Sequence, residues 1–257
     1  LQLVAAEWFV PISPEVKERL RIPKLTLTTP PQGDSGAVAE AARLLVNAEN
    51  PVIVADRAAR TSAGMKYLIE LAETLQAPVI DQGGRMNFPS RHPLNHSDGG
   101  RALIANADVI LGLELTDFWG TVDTFRDSLV RSSRSITRQG ARLISIAAGD
   151  LFVKANYQDF QRYHEVDIAM AADAEATLPA LIEAVKRTIN ADRRRVLQER
   201  GGKLADARQK AFDRGRTDAT YAWDATPIST ARLAAELWGQ IKNEDWNDYV
   251  VIAKGNH

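Results

Sequence analysis

Pro51-Val-Ile-Val-Ala-Asp56 decides the fold class. It is an unbroken apolar run, rich in β-branched residues and closed by a carboxylate. A strand with one wet face would alternate instead, so this one is covered on both faces. The same form recurs at Pro78-Val-Ile-Asp81, Asp108-Val-Ile-Leu-Gly-Leu-Glu114, Arg142-Leu-Ile-Ser-Ile-Ala147 and Val166-Asp-Ile-Ala-Met170. Helical spacing separates the runs. Val38, Ala41, Ala42, Leu45 and Ala48 precede the first, with Asp34 or Ser35 as N-cap. Met65, Leu68, Ala72 and Leu75 follow it. Residues 99–107 read as a short helix, and Leu178, Leu181, Ile182, Val185 and Ile189 as a longer one. Continuous apolar strands alternating with helices predict an α/β fold, a doubly wound Rossmann-like parallel sheet with helices on both faces.

Outward from this centre the chain changes character. Residues 1–32 hold five of the eleven prolines, Pro11, Pro14, Pro23, Pro30 and Pro31. Proline fixes φ and removes a donor, so residues 1–33 are expected to be an extended linker, with one helical turn around Pro14–Leu20. Residues 34–190 form the sheet domain. Residues 191–225 are crowded with charge and read as a helical linker, interrupted at Gly201-Gly202, with Arg193–Arg195 on a solvated face. Residues 226–257 read as the truncated start of a further domain. Thr226 and Pro227 would be N-cap and N1 of its helix. Its strand would be Tyr249–Ala253, running into Gly255-Asn-His257. Both ends read as internal to a longer protein.

Composition narrows the function. The 257 residues carry 32 Lys+Arg against 33 Asp+Glu, a formal charge of -1, and no cysteine. A disulfide framework and a Cys-based zinc site are excluded. The balance offers no electrostatic case for nucleic acid or an anionic membrane. No apolar run approaches the ~20 residues that span a bilayer. With no signal-peptide core at the start, a cytoplasmic location is the default expectation.

A doubly wound sheet binds ligands outside the carboxyl ends of its strands. Those ends carry Asp56-Arg57, Asp81-Gln-Gly-Gly84, Glu114-Leu-Thr-Asp117 and Ala148-Gly-Asp150. The glycine fingerprint for a dinucleotide is replaced by Asp56-Arg-Ala-Ala-Arg60, although Arg57 and Arg60 could pair with phosphate oxygens. Gly83-Gly84 reads first as a turn needing positive φ. His92 and His96 have ligand spacing, but Pro93 lies between them and no carboxylate set accompanies them. No metal ligands are assigned. Nor is any catalytic residue, since the P-loop, G-x-S-x-G and H-E-x-x-H motifs are absent.

Three stretches together resemble the central domain of thiamine-diphosphate-dependent enzymes, nearest the acetolactate-synthase-like group. They are Val38-Ala-Glu-Ala-Ala-Arg-Leu-Leu-Val-Asn-Ala-Glu-Asn-Pro-Val-Ile-Val-Ala55, Leu71-Ala-Glu-Thr-Leu-Gln-Ala-Pro-Val79, and Phe88-Pro-Ser-Arg-His-Pro93 followed by Ala107-Asp-Val-Ile-Leu111. The resemblance implies a six-stranded, deoxyhypusine-synthase-like sheet between two cofactor-binding domains. It implies thiamine diphosphate and Mg²⁺ in the intact parent, C–C bond cleavage or formation on a 2-oxo acid, and a homo-oligomer. Some members hold FAD or ADP in this sheet; Asp150 could match their nucleotide-contacting acid, while Asp56 and Arg57 replace their glycine turn. Gly255, Asn256 and His257 match the G-x-H loop that contacts the cofactor diphosphate. The Gly-Asp-Gly metal motif and the catalytic Glu are not in this chain, so the isolated piece is expected to be inactive. The alternative is a regulatory module binding ADP, FAD or CoA.

Overall fold

The computed structural model describes residues 13–21, 29–84, 86–127, 132–152 and 163–240. The chain divides into two units, residues 1–30 and 31–257. In the first, α1 (Pro14–Arg19) is the helical turn expected there. Ser13 caps it, its hydroxyl accepting from the Val16 N–H at 3.4 Å, and Pro14 takes the first turn, where a missing donor costs nothing.

The second unit is built on a five-stranded parallel sheet. In chain order the elements are α2 (Ser35–Asn47), β1 (Pro51–Ala55), α3 (Ser62–Leu75), β2 (Val79–Asp81), α4 (Gly100–Asn106) and β3 (Val109–Leu113). Then come α5 (Phe118–Val122), β4 (Asp123–Asp127), β5 (Ser132–Ser135), β6 (Arg142–Ile146), β7 (Ile168–Met170), α6 (Ala174–Thr188), α7 (Ala191–Ala219) and α8 (Thr230–Gln240). The sheet order is β2-β1-β3-β6-β7. Ile53 pairs with Val79 on one side and Leu111 on the other; Leu111 then pairs with Ile144, and Ile144 with Ile168. Strand order reverses between β1 and β3, the switch point where such sheets open a crevice. Among the described residues the parallel sheet has five strands, against six implied by the resemblance.

Why the strands read as unbroken apolar runs is now visible. Ile53, Ala55, Val109, Leu111, Leu113, Ile144 and Ile146 face a core filled by α2, α3 and α6. Val52, Val54, Ile110 and Leu143 face a smaller core with Ile104 of α4 and Val122 of α5. β1 and β3 alternate between two cores, so every one of their positions is apolar and buried. Burying one such leucine or isoleucine contributes about 1.5–3 kcal/mol. Gly112 has a steric reason to lack a side chain: a Cβ there would lie 2.6 Å from the Phe118 ring, which packs against β3.

Four expectations are corrected. Between β3 and β6 the chain forms α5 and an antiparallel ribbon, β4–β5, that no sequence signal marked. α7 runs unbroken through Gly201-Gly202; Gly201 is buried where the helix crosses Gln76, and a Cβ there would meet the Gln76 side chain. Arg193 is not solvated, because its guanidinium donates to the carbonyls of Val46 and Ala48. Thr226 and Pro227 do not start a helix: α8 begins at Thr230, with the Ser229 hydroxyl accepting from the Arg232 N–H at 3.2 Å. The expected strand at 249–253 and the 255–257 loop lie outside the described residues.

Candidate functional site

The carboxyl ends of β1, β2, β3 and β6, with the N-termini of α3 and α6, form the candidate crevice. Asp56 ends β1 and is buried, at 6% exposure. Its Oδ2 accepts from the Thr116 N–H at 3.1 Å and the Thr116 hydroxyl at 2.6 Å, which ties β1 to the loop after β3 across the switch point. Arg57, next along, is exposed. Asp150 lies in the 3₁₀ turn after β6 (Ala148–Phe152), two strands from Asp56 and so roughly 10 Å away. Its carboxylate turns back to accept the Ser145 hydroxyl at 2.8 Å. Asp56 and Arg57 are chain neighbours at the end of β1, and Asp150 lies two strands away. Gly255, Asn256 and His257 lie outside the described residues.

Four residues whose roles the sequence did not disclose organise this edge. Asn87, 1% exposed, accepts from the Ala59 N–H at 2.9 Å and donates to the Asp56 carbonyl and the Asp81 carboxylate. Glu114, in the left-handed region at φ 50°, accepts from the N–H of Ala148 at 3.1 Å and of Ala174 at 2.9 Å. It thereby joins β3, the turn after β6 and the start of α6. Burial pushes its carboxyl above the usual range; the two backbone N–H groups oppose this, Asp173 adds to it, and Arg60 opposes it more weakly. Glu175 accepts from Arg60 N–H at 2.7 Å, Thr61 N–H at 3.2 Å and the Thr61 hydroxyl at 2.7 Å. Asp173 caps α6, accepting from the Ala176 N–H at 2.8 Å, and also pairs with the Arg60 guanidinium. Arg60, expected to be free for phosphate, is therefore engaged.

These bonds occupy several of the donors at this edge. At the start of α3 the N–H groups of Ala59, Arg60, Thr61 and Gly64 go to Asn87, Glu175, Glu175 and Thr61 respectively. A pyrophosphate at a helix N-terminus uses this kind of donor. Here carboxylate, side-chain amide and hydroxyl oxygens of the chain already hold these four. Burial also pushes the Asp150 carboxyl up, with the Ser145 hydroxyl opposing. The His92 ring meets Glu73 at 3.2 Å, in a loop rather than on a helix, and among the described residues no three His, Cys, Asp or Glu converge as a metal site. Among the described residues the edge is a cross-linked acidic frame, its carboxylates accepting from backbone N–H groups and from the hydroxyls of Thr61, Thr116 and Ser145.

Residues 38–181 match the family model described as thiamine pyrophosphate enzyme, central domain. Over 103 residues the chain is 38% identical to sulfoacetaldehyde acetyltransferase of Roseovarius nubinhibens, an alignment covering 37% of this chain and 17% of that protein. Among solved structures it is similar to benzoylformate decarboxylase from Polynucleobacter necessarius, with TM-score 0.45 and 19% identity over 65% of this chain and 30% of that one. It is also similar to the thiamine diphosphate-dependent 4-hydroxybenzoylformate decarboxylase of Rhodococcus jostii RHA1, with TM-score 0.42 and 23% identity over 67% of this chain and 31% of that one. The chain therefore spans less than a third of the length of these relatives. With more than half of its residues inside the family model, the chain belongs to the thiamine pyrophosphate enzyme central-domain family.

Proposed function

We propose that this chain is the scaffold sheet of a thiamine-diphosphate-dependent enzyme that cleaves or forms a C–C bond on a 2-oxo acid or related substrate, a lyase or transferase of the cytoplasm. The domain assignment follows the family match; the scaffold role rests on one observation, the closed carboxyl edge. With the N–H groups of Ala59, Arg60, Thr61 and Gly64 bonded to Asn87, Glu175, Glu175 and Thr61, the turn into α3 has fewer donors left for a phosphate. In the parent, thiamine diphosphate with Mg²⁺ would supply the nucleophilic ylide. The residues proposed to reach its diphosphate are Gly255, Asn256 and His257. The sheet would link the flanking domains, with boundaries near residues 33, 190 and 225, and buttress a homo-oligomer.

Two measurements test this reading. The isolated chain, given thiamine diphosphate, Mg²⁺ and a 2-oxo acid, is expected to show no decarboxylation; turnover would overturn the scaffold role. Calorimetric titration with ADP, FAD and CoA separates it from the regulatory-module reading, which Asp150 and the exposed Arg57 would serve. No heat at high micromolar ligand is expected, and saturable binding would favour the module.

A further inference from the structure

α7 docks through one stripe. Arg193, Leu197, Arg200, Gly201, Leu204 and Arg208 follow helical spacing along the face turned to the domain. At the far end of this stripe the Arg208 guanidinium donates to the Asp98 carboxylate at 2.8 Å and to the Ser90 carbonyl at 2.7 Å. His96 lies in the same loop, its backbone N–H bonded to the Val79 carbonyl at 2.9 Å, which fixes it to the start of β2. Its ring is set against α7 beside the Leu204 carbonyl and the Arg208 charge. The ring Nε2 is buried and has no hydrogen-bond partner.

We propose that His96 and Arg208 form a protonation-sensitive latch, which holds the C-terminal half of α7 on the domain while the ring is neutral and releases it when the ring is charged. A neutral ring leaves one polar atom unsatisfied, a modest and constant cost. A charged ring would place a second cation, poorly solvated, beside Arg208. The groups facing it are Arg208 from α7 and Asp98 from its own loop, with the carbonyls of Pro93 and Leu204. Asp98 and the carbonyls favour the charged ring, but burial and Arg208 outweigh them and push the imidazole below its ordinary range. The native state therefore binds this proton less readily than the released state. The contribution of this contact to docking is fully present above the ordinary imidazole pKa and is lost as pH falls through that value toward the lowered one.

The test is hydrogen exchange on the whole chain at about pH 7.5 and pH 5.5, either side of the ordinary imidazole pKa, read as protection factors. Amides from Leu204 to Ala219 are expected to lose protection by up to about tenfold per pH unit, while β1 and β3 hold theirs. His96→Gln, neutral at both pH values, is expected to abolish the difference. Equal protection of α7 at both pH values, or the same loss in His96→Gln, would overturn the latch. Should His96→Gln fail to fold, NMR titration of the His96 ring in the wild type and in Arg208→Met decides. The ring is expected to titrate higher once Arg208 is gone, and an unchanged titration would refute the coupling.

Discussion

At the carboxyl edge of the sheet the helices point N–H groups outward, and Asp173, Glu114 and Glu175 meet them. At the amino edge α2 and α3 end and point carbonyls outward, and guanidinium groups of α7 meet those. Arg193 donates to Val46 and Ala48; Arg200 donates to Ala48 at 2.8 Å, Glu49 at 3.1 Å, Gln76 at 2.9 Å and Leu75. Both arrangements follow the helix dipole, negative charge at N-termini and positive at C-termini. They differ in where the partners come from. The carboxyl edge draws its acceptors from several elements, Glu114 supplying two bonds, Glu175 three and Asn87 one. The amino edge draws its donors from one helix, so losing that helix uncovers two helix ends together.

The largest expected effect tests that asymmetry. Burial lowers the Arg200 pKa to about 10, with the Arg193 charge adding to this, yet the side chain spends its donors on four carbonyls. Arg200→Met is expected to lower stability by about 3 kcal/mol, since hydrogen bonds to charged groups are worth roughly 1.5–3 kcal/mol each and are not additive. A shift of the urea midpoint checks it, and Arg200→Lys should recover only part, lacking the planar fork. A change under about 0.5 kcal/mol would mean the amino edge does not depend on α7.

Next comes Glu114→Gln. An amide oxygen can serve one of the two N–H groups and its NH₂ end repels the other, for a cost of about 2 kcal/mol by thermal unfolding. Glu175→Ala should cost about 1 kcal/mol, the loss of hydrogen bonds to a charged acceptor, leaving the N–H groups of Arg60 and Thr61, just before α3, bare. Since those donors are the ones a phosphate would use, the variant also sharpens the functional reading: ADP binding appearing in Glu175→Ala alone would show that the carboxylate closes the crevice. Gly202→Ala acts on the exposed side of α7, where a Cβ meets nothing, and should raise stability by about 0.5–1 kcal/mol. Gly201→Ala should gain less, because its Cβ must displace the Gln76 side chain.

The smallest effect is expected at Asp150. Its carboxyl is raised by burial, so the native state holds that proton more tightly than the unfolded chain does. Stability from this group is therefore greatest in acid and declines as pH rises through the native pKa. Asp150→Asn keeps an acceptor for Ser145 and removes the charge. Its stability at neutral pH should equal or slightly exceed the wild type, with a flatter profile across the acidic range. A clear loss at neutral pH would mean the charge has a partner to satisfy.

The sheet was legible because double burial leaves a mark in a single strand: Pro51–Ala55 and Val109–Leu113 are apolar at every position, and all are buried. The Asp34 cap was legible because its bond to the Ala37 N–H spans three residues. The β4–β5 ribbon was not, since Asp123-Thr-Phe-Arg-Asp127 and Ser132-Ser-Arg-Ser135 carry neither an apolar run nor alternation. At the crevice the sequence named Asp56, Arg57 and Asp150 but not the bonds that occupy it. Asn87 and Glu175 bond across the fold, and an acid in the first turn of α6 reads as serving that helix alone. The arginine stripe was missed for a similar reason. Its partners are backbone carbonyls, which every residue has. The available signal was Leu197 and Leu204 lying between Arg193, Arg200 and Arg208 at helical intervals.

That stripe separates two kinds of border. By composition the sheet unit ends at Asn190, and a gene fragment given a stop codon there would look complete on paper. The polypeptide so produced would keep all five described strands of the sheet but expose the carbonyls of Val46, Ala48, Leu75 and Gln76 to solvent. A workable excision has to retain the chain through Arg208, whose fork closes the last of these contacts on Ser90 and Asp98.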